Sequence, residues 1–516
     1  MKKIFACVVC VLLLLTGCKA NEKQEIDGVK INLSDSKITV DGNKITNDNT
    51  AAVYIANDIV FYLEGKDFTY GEGTKDDEHA QSEADAHTVV HITKPGTYVL
   101  SGKLSSGQIA VDLGKDAKSD PDAVVTLVLN NLDITCTVAP AVIFYNVYEC
   151  GDDAEENATK DVDTSKAGAN VIIADGTENN VSGSYVARIY DPDTVKLNDD
   201  KTEVSDADKL HKYDAAFYSR KTMNVCGGEK GDGILNINAE NEGLDSELHL
   251  TINGGVINIT SSNDGINTNE DNVSVTTVNG GTLNILCDGK TGEGDGIDSN
   301  GWLVINGGTV IAQACATSGD AGIDSDKGIY INGGKVIASG NMLDRISGGE
   351  QTYAVFNFAT RQAGESTYIL KNKDGKAVRK YAPTNDFTYL LVAGDELKEG
   401  DYTFWKGDTQ LAAMRGDNMN ERPQMPNDET QPPQEPNGEN FDPNQKPDGE
   451  RPEKPQGERP EGEPLELPDG ETSNGERPEF PGGMGNAGMA NGETTITFTI
   501  VKGGNQFTNV SPATAE

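Results

Sequence analysis

Residues 295–312 read DGIDSNGWLVINGGTVIA. Two aspartates around a glycine lead into a short apolar strand, an Asn-Gly-Gly corner follows, and a second apolar strand begins. The unit recurs. The tetrapeptide INGG or VNGG starts at Ile252, Val278, Ile305 and Ile331, at spacings of 26, 27 and 26 residues. Each copy is followed by a second strand-like run (VINIT, TLNIL, TVIAQA, KVIAS). Each is preceded by an acidic turn: NEGLDS from 241, NDGINT from 263, GDGIDS from 294 and DAGIDS from 320. A period of roughly 20–50 residues marks a solenoid. The absence of an LxxLxL period excludes leucine-rich repeats. Dense Ile and Val between glycine corners predict short strands. Each strand would pair in parallel with its equivalent one coil away, so the sequence predicts a parallel β-helix. Asn-Gly-Gly supplies the positive-φ corner between strands.

That register has an electrostatic consequence. Equivalent residues of successive coils lie about 4.8 Å apart. Asp245, Asp298 and Asp324, with Asn267 at the matching place, then form one column. Glu242, Asp264, Asp295 and Asp320 form a second. Two bare carboxylates about 4 Å apart repel by roughly 1 kcal/mol in water and about 4 kcal/mol at an effective dielectric of 20. A cation between them removes that cost. All-oxygen donors select a hard ion, and calcium tolerates irregular shells that magnesium does not. Neither the EF-hand loop nor the GGxGxDxU nonapeptide is present. The alternative is that these Asp and Asn side chains only cap turns.

Several stretches together resemble a family of bacterial β-helix proteins that bind cellulose and pectin-type acidic glycans. They are GTYVLSGKLSSGQIAVD, VTLVLNNLDIT, VIIADGTENNVS, DAAFYSRKTMNVCGG and the four acidic-turn coils, within residues 88–340. The later run ESTYILKNKDGKAVRKYAPTNDFTYLLVAGDELKEGDYTFWKG is similar to that family's C-terminal β-rich region. The resemblance implies a right-handed parallel β-helix akin to pectate lyases, calcium in the acidic turns and polysaccharide as ligand. The acidic insertions at 150–169 and 190–212, and the NEDNVSVTTV coil, depart from the family pattern.

The 516 residues carry a formal net charge of −40. Nucleic-acid binding needs a basic face and is excluded as a reading. Lys2 and Lys3 precede an apolar run to Leu15 that ends in Leu-Thr-Gly-Cys18, which resembles a bacterial lipobox. Residues 1–18 are therefore read as a lipoprotein signal peptide. Cys18 is the lipidation site of a monomer held on the extracellular face of the cell membrane by its lipid alone. Residues 19–50 read as a flexible tether, 51–345 as the β-helix and 346–414 as a β-rich C-terminal unit. The acidic insertions read as loops. Fourteen of the 20 prolines fall in 415–492, which reads as a disordered insertion. Residues 493–516 alternate as a strand that returns beside DYTFWKG. Five cysteines remain after Cys18, with no CxxC spacing, so neither a disulfide framework nor a zinc site is indicated.

Two functions compete. A binder would present Trp302, Tyr330 and Trp405 to sugar rings, with Lys290, Lys327 and Arg345 meeting uronate carboxylates. A lyase would use calcium to acidify a uronate and Lys290 or Lys327 as base. A surface adhesin would differ from the binder only in having a protein partner. No Ser/His/Asp order, HExxH or P-loop occurs, and the reading adopted is a non-catalytic polysaccharide binder. Replacing the predicted lipid site, Cys18→Ser, is expected to move the protein from the membrane to the soluble fraction. Unchanged membrane partition would refute the lipobox.

Overall fold

The computed structural model describes residues 26–416 and 494–513. The signal-like segment with Cys18, residues 19–25 and almost all of the proline-rich stretch lie outside the described residues. What is described is all-β. The five-residue helix Gln81–Asp85 and two short 3-10 turns are the exceptions among the described residues.

Three parallel ladders carry the repeat. The first runs through Val29–Leu33, Gly96–Leu104, Val125–Cys136, Ala169–Ile173, Met223–Gly227, His249–Ile252, Val275–Val278, Trp302–Ile305 and Gly328–Ile331. The second continues from the far half of Val125–Cys136 through Glu178–Gly183, Ile234–Ala239, Val256–Ser261, Thr282–Cys287, Thr309–Gln313 and Lys335–Gly340. The third joins Thr88–Ile92, Gly107–Asp112, Val142–Asn146, Ala215–Ser219, Glu242–Ser246 and Ile266–Thr268.

The register stacks like on like. Val225, Ile252, Val278, Ile305 and Ile331 form one buried file, and Ile237, Ile259, Ile285, Ala312 and Ala338 another. Each fully buried aliphatic side chain contributes about 1.5–3 kcal/mol relative to exposure. The second glycine of every Asn-Gly-Gly corner has positive φ, from 79° at Gly308 to 91° at Gly255. A Cβ on Gly281 would also meet the Gly255 carbonyl oxygen at 2.7 Å, so the corners are held by both conformation and closeness.

Antiparallel strands close the open edges. Thr39–Val40 pairs with Val29–Leu33, and Val53–Ala56 with Thr88–Ile92. Phe387–Ala393 covers Lys335–Gly340 at the other end. An exposed strand edge invites aggregation, and these pairings remove it. They also correct the tether reading for the described part of residues 19–50, because Ile31 and Leu33 are buried in the first ladder. The insertion at 190–212 is corrected as well. It contains the hairpin strands Lys196–Leu197 and Val204–Asp206, nested within the pairing of Val186–Tyr190 with Lys209–Tyr213.

Beyond the ladders, a second core gathers Phe356, Phe358, Tyr368, Phe387, Phe404, Phe498 and Phe507. Phe356 stacks on Phe404 at 4.2 Å and on Phe507 at 5.3 Å. The last two strands complete this sheet. Phe498–Ile500 lies antiparallel to Gly400–Lys406, with Tyr402 opposite Phe498, and Gly504–Pro512 joins Thr409–Arg415 to Tyr353–Gln362. Deleting one buried Phe side chain costs about 3–5 kcal/mol. Truncation after Gly416 is therefore expected to abolish cooperative melting of this sheet in calorimetry. Replacing residues 417–493 with a short Gly/Ser linker is expected to leave it nearly unchanged, since Ala413 and Thr495 already pair across the junction. Equal behaviour of the two variants would refute the assignment.

Candidate functional site

The third ladder changes chemistry along its length. Reading across the register, one position is occupied in turn by His91, Ala110, Ile143, Tyr218, Asp245 and Asn267. The amide of Asp298 bonds the Ile266 carbonyl at 2.8 Å, and that of Asp324 bonds the Ile297 carbonyl at 2.7 Å. The column therefore continues into Asp298 and Asp324. A second column holds Glu242, Asp264 and Asp295. The amides of Gly243 and Gly265 bond the carbonyls of Asp264 and Asp295 at 3.0 Å each.

Asp320 does not belong to it. Gly296 bonds the carbonyl of Ala321, so Ala321 takes the register position. Asp320 stands one residue earlier, at the place of Gly294, and its carboxylate accepts from the Gly294 amide at 2.6 Å and from Ser318 Oγ. The glycines let the acidic turns nest. A Cβ on Gly296 would meet the Gly322 carbonyl oxygen at 2.3 Å.

Both sequence readings of the acids have a physical counterpart. Asp264 Oδ1 accepts from the amide of Asp295 at 2.6 Å, and Asp295 Oδ1 accepts from that of Ala321 at 2.5 Å. These oxygens cap the next coil. Yet carboxylate oxygens of Asp295, Asp298 and Asp324 also come within 4.8 Å of one another. One coil row away, Asn267 Nδ2 donates to Glu242 Oε1 at 3.2 Å. Glu242 Oε2 and Asn267 Oδ1 are buried without a hydrogen-bond partner among the described residues. Asp245 accepts both contacts of the Asn269 amide, at 3.0 and 2.9 Å. A buried acceptor without a donor costs about 1–3 kcal/mol. This all-oxygen, acceptor-rich set fits a hard cation.

The charge state follows. Burial pushes the Asp295 carboxyl up to about 9, with Asp264 and Asp324 adding to the shift. Burial and then Asp298 raise Asp264 to about 8. Burial and Asp326 raise Asp298 to about 6, and burial and Asp344 raise Asp324 to about 7. Glu242 and Asp245 are raised well above the carboxylate range, again by burial first. Sequence reading missed Asp344, which burial also raises. Its turn has Met342 at the place where the other acidic turns have glycine. The Ser325 amide donates to Asp344 at 3.2 Å, which brings it beside Asp324.

The predicted sugar-binding residues divide. Trp302 and Tyr330 are half-buried on the outward side of the first ladder, opposite the inward Leu303 and Ile329. Lys327 Nζ stands 5.5 Å from the centre of the Trp302 ring and 3.5 Å from Glu155 Oε1. Lys160 Nζ stands 5.2 Å from the centre of the Tyr330 ring. Glu155 and Lys160 come from the insertion 150–169, which is therefore packed rather than a free loop. Thr164 is buried, donates to Thr251 at 2.7 Å and accepts from Asn224 at 2.8 Å. Lys290 sits in another turn, paired with Asp288 at 2.7 Å, and Arg345 is exposed beside Asp344. Neither joins the aromatic pair. Trp405 belongs to the C-terminal sheet.

The family described as "Carbohydrate-binding domain-containing protein" matches residues 86–352. A carbohydrate-binding domain-containing protein of Acetivibrio thermocellus is 27% identical over 259 residues, which is 50% of this chain and 64% of that protein. This chain thus spans less than two thirds of that relative. A solved structure, that of a polysaccharide lyase-like protein from C. thermocellum in a gadolinium derivative, is 21% identical. It covers 60% of this chain and 93% of its own, at a TM-score of 0.34.

The acid columns set the pH response. A carboxyl whose folded pKa lies above its unfolded value binds protons more tightly when folded. Its stabilising contribution is complete below the unfolded pKa of about 4 and is lost as pH rises through the folded pKa. For Asp298, Asp324, Asp264 and Asp295 that window runs from about 6 to about 9. Chelator-treated protein is expected to melt at a lower temperature at pH 9 than at pH 5, and calcium is expected to narrow the gap. A melting temperature flat across that range refutes the stacked-carboxylate reading.

Proposed function

This chain belongs to the carbohydrate-binding domain-containing family, and from that premise we propose that it binds polysaccharide through a calcium-stabilised, right-handed parallel β-helix held at the cell surface by a lipid. The observation that carries the calcium reading is the cluster of Asp295, Asp298 and Asp324, where the two columns meet. It is supported by the partnerless buried oxygens of Glu242 and Asn267. These residues, with Asp245 and Asp264, would hold the ion. Bound there, calcium supplies the positive charge that lets the carboxylates ionise at neutral pH. The coils would then stay rigid under a long chain ligand.

The sugar-facing residues in this reading are Trp302, Tyr330 and Lys327. An aromatic face suits a sugar ring, and a nearby ammonium suits a uronate. The glycan favoured is an acidic pectin-type chain, with cellulose the neutral alternative. A lyase needs a lysine that can lose its proton. The Asp288 carboxylate holds the Lys290 ammonium above its usual range, and Lys327 sits against Glu155. Neither arrangement suits a general base.

Affinity electrophoresis in gels containing polygalacturonate or cellulose tests the proposal. Retention of the parent is expected. Asp298→Ala or chelator should lower the melting temperature, because an ion bound only to the native state stabilises it by mass action. Trp302→Ala should weaken retention about tenfold, the equivalent of about 1.4 kcal/mol. No ultraviolet absorbance from an unsaturated uronide should accumulate with polygalacturonate. Free migration through every gel refutes binding, and steady absorbance growth would make the protein a lyase.

A further inference from the structure

The C-terminal sheet has an outward face that the matched family region, residues 86–352, does not include. Strand alternation fixes which side chains lie on it. Tyr368, Leu370 and Phe404 point into the aromatic core, so Ile369, Lys371, Thr403 and Trp405 point away from it. The register places Lys380 opposite Ile369, Ile369 opposite Trp405, and Trp405 opposite Gln410. These four form one row across neighbouring strands. The row is aromatic in the middle and cationic at one end. Lys371 Nζ stands 4.1 Å from the centre of the Trp405 ring, and Trp405 Nε1 donates to Thr403 Oγ1 at 2.9 Å, which fixes the ring.

The charge of this face runs against the rest of the molecule. The chain carries −40, yet residues 353–416 hold nine Lys and Arg against eight Asp and Glu. Within 368–381 the imbalance is sharper: Lys371, Lys373, Lys376, Arg379 and Lys380 face one acid, Asp374. Arg379 is neutralised by Glu396. Lys371 and Lys380 have no carboxylate in ion-pair distance among the described residues. Lys371 beside the ring and the exposed Lys380 two strands from it are thus available to an anion from elsewhere.

We propose that this face is a second polysaccharide subsite, in which Trp405 stacks on a sugar ring and Lys371 and Lys380 take the carboxylates of an anionic, uronate-type chain. Lys371 is placed for it. Its ammonium is already held over the ring by cation–π attraction, where the charge of a stacked uronate would arrive. The spacing across strands of about 4.8 Å brings Lys380 within reach of the same chain. The subsite rests on the reading that the protein binds polysaccharide, and it adds the charge preference.

The experiment is affinity electrophoresis of the full chain in polygalacturonate, in its methyl-esterified form and in a neutral glucan. Trp405→Ala and the double variant Lys371→Ala/Lys380→Ala are compared with Trp302→Ala and with Lys115→Ala, an exposed lysine elsewhere. Melting curves confirm folding, and Lys380, being exposed, can be replaced without touching the core. Retention on polygalacturonate should fall about tenfold in both C-terminal variants. It should hold in Lys115→Ala and change little on the neutral glucan. Unaltered retention of both C-terminal variants, with Trp302→Ala weakened, overturns the subsite and leaves the main binding reading standing. Equal losses on charged and neutral gels overturn the uronate assignment. A parent that migrates freely through every gel overturns both readings.

Discussion

The structure depends on one constraint: coils paired in parallel bring each residue beside its own equivalent. Apolar residues gain from this. A file such as Val225, Ile252, Val278, Ile305 and Ile331 fills a narrow interior with matching shapes. Polar residues gain or lose according to their hydrogen-bonding inventory. An asparagine both donates and accepts, so it can satisfy its own copy. Two such ladders run through the described residues. Asn236 donates to Asn180, Asn258 to Asn236 and Asn284 to Asn258, at 2.8–2.9 Å. At the Asn-Gly-Gly corners, Asn279 donates to Asn253, Asn306 to Asn279 and Asn332 to Asn306, at 2.8–3.0 Å.

A carboxylate cannot do this. It only accepts, and its neighbour is another acceptor with the same charge. In the acid columns the repeat thus works against itself. Each of these carboxyls is raised, and each by burial before any neighbour's charge. Three remedies are open: protons, backbone amides or a cation. The amides of Asp295 and Ala321 supply the second in part. They leave other oxygens uncompensated, among them Glu242 Oε2. The remedy that works at neutral pH without loss of charge is the third. A column of alternating Asn would have been easier to fold. On the proposed reading, Asp is kept there because a bound cation uses its charge.

What the sequence revealed tracks what has a period. Four Asn-Gly-Gly corners at nearly constant spacing gave the parallel register directly, because equal spacing demands equal coil length. The aspartates at 245, 298 and 324 followed from the same count. Where a turn departs from the acidic-Gly-apolar pattern, the sequence hides the site. Ala321 takes the acidic place before Asp324 and leaves Asp320 outside the column, and Asp344 follows Met342 where the other turns have glycine. Segments that pair with a distant part of the chain were also illegible. Val29–Leu33 looks like polar tether in sequence, yet finds its partner in Gly96–Leu104 about 70 residues on. The insertion 150–169 has no apolar period, and it is anchored by buried Thr164, which reaches Thr251 and Asn224, and by buried Ala167 and Ala169.

That insertion also alters how the aromatic face works. Trp302 and Tyr330 were expected as open stacking platforms, but each has a lysine over its ring, one of them from the insertion itself. Lys327 is shared between Trp302 and Glu155. A sugar arriving there must displace an ammonium from the ring, which a carboxylated sugar can offset by pairing with it and a neutral sugar cannot. The same arrangement recurs at Trp405 under Lys371, on a sheet of different topology. Two unrelated surfaces in a strongly acidic chain thus guard a tryptophan with a lysine. On the proposed binding reading, each ring would stack on a sugar and its lysine would pair with the sugar's carboxylate, so preference for acidic over neutral glycans would come from that ion pair offsetting the cost of moving the cation.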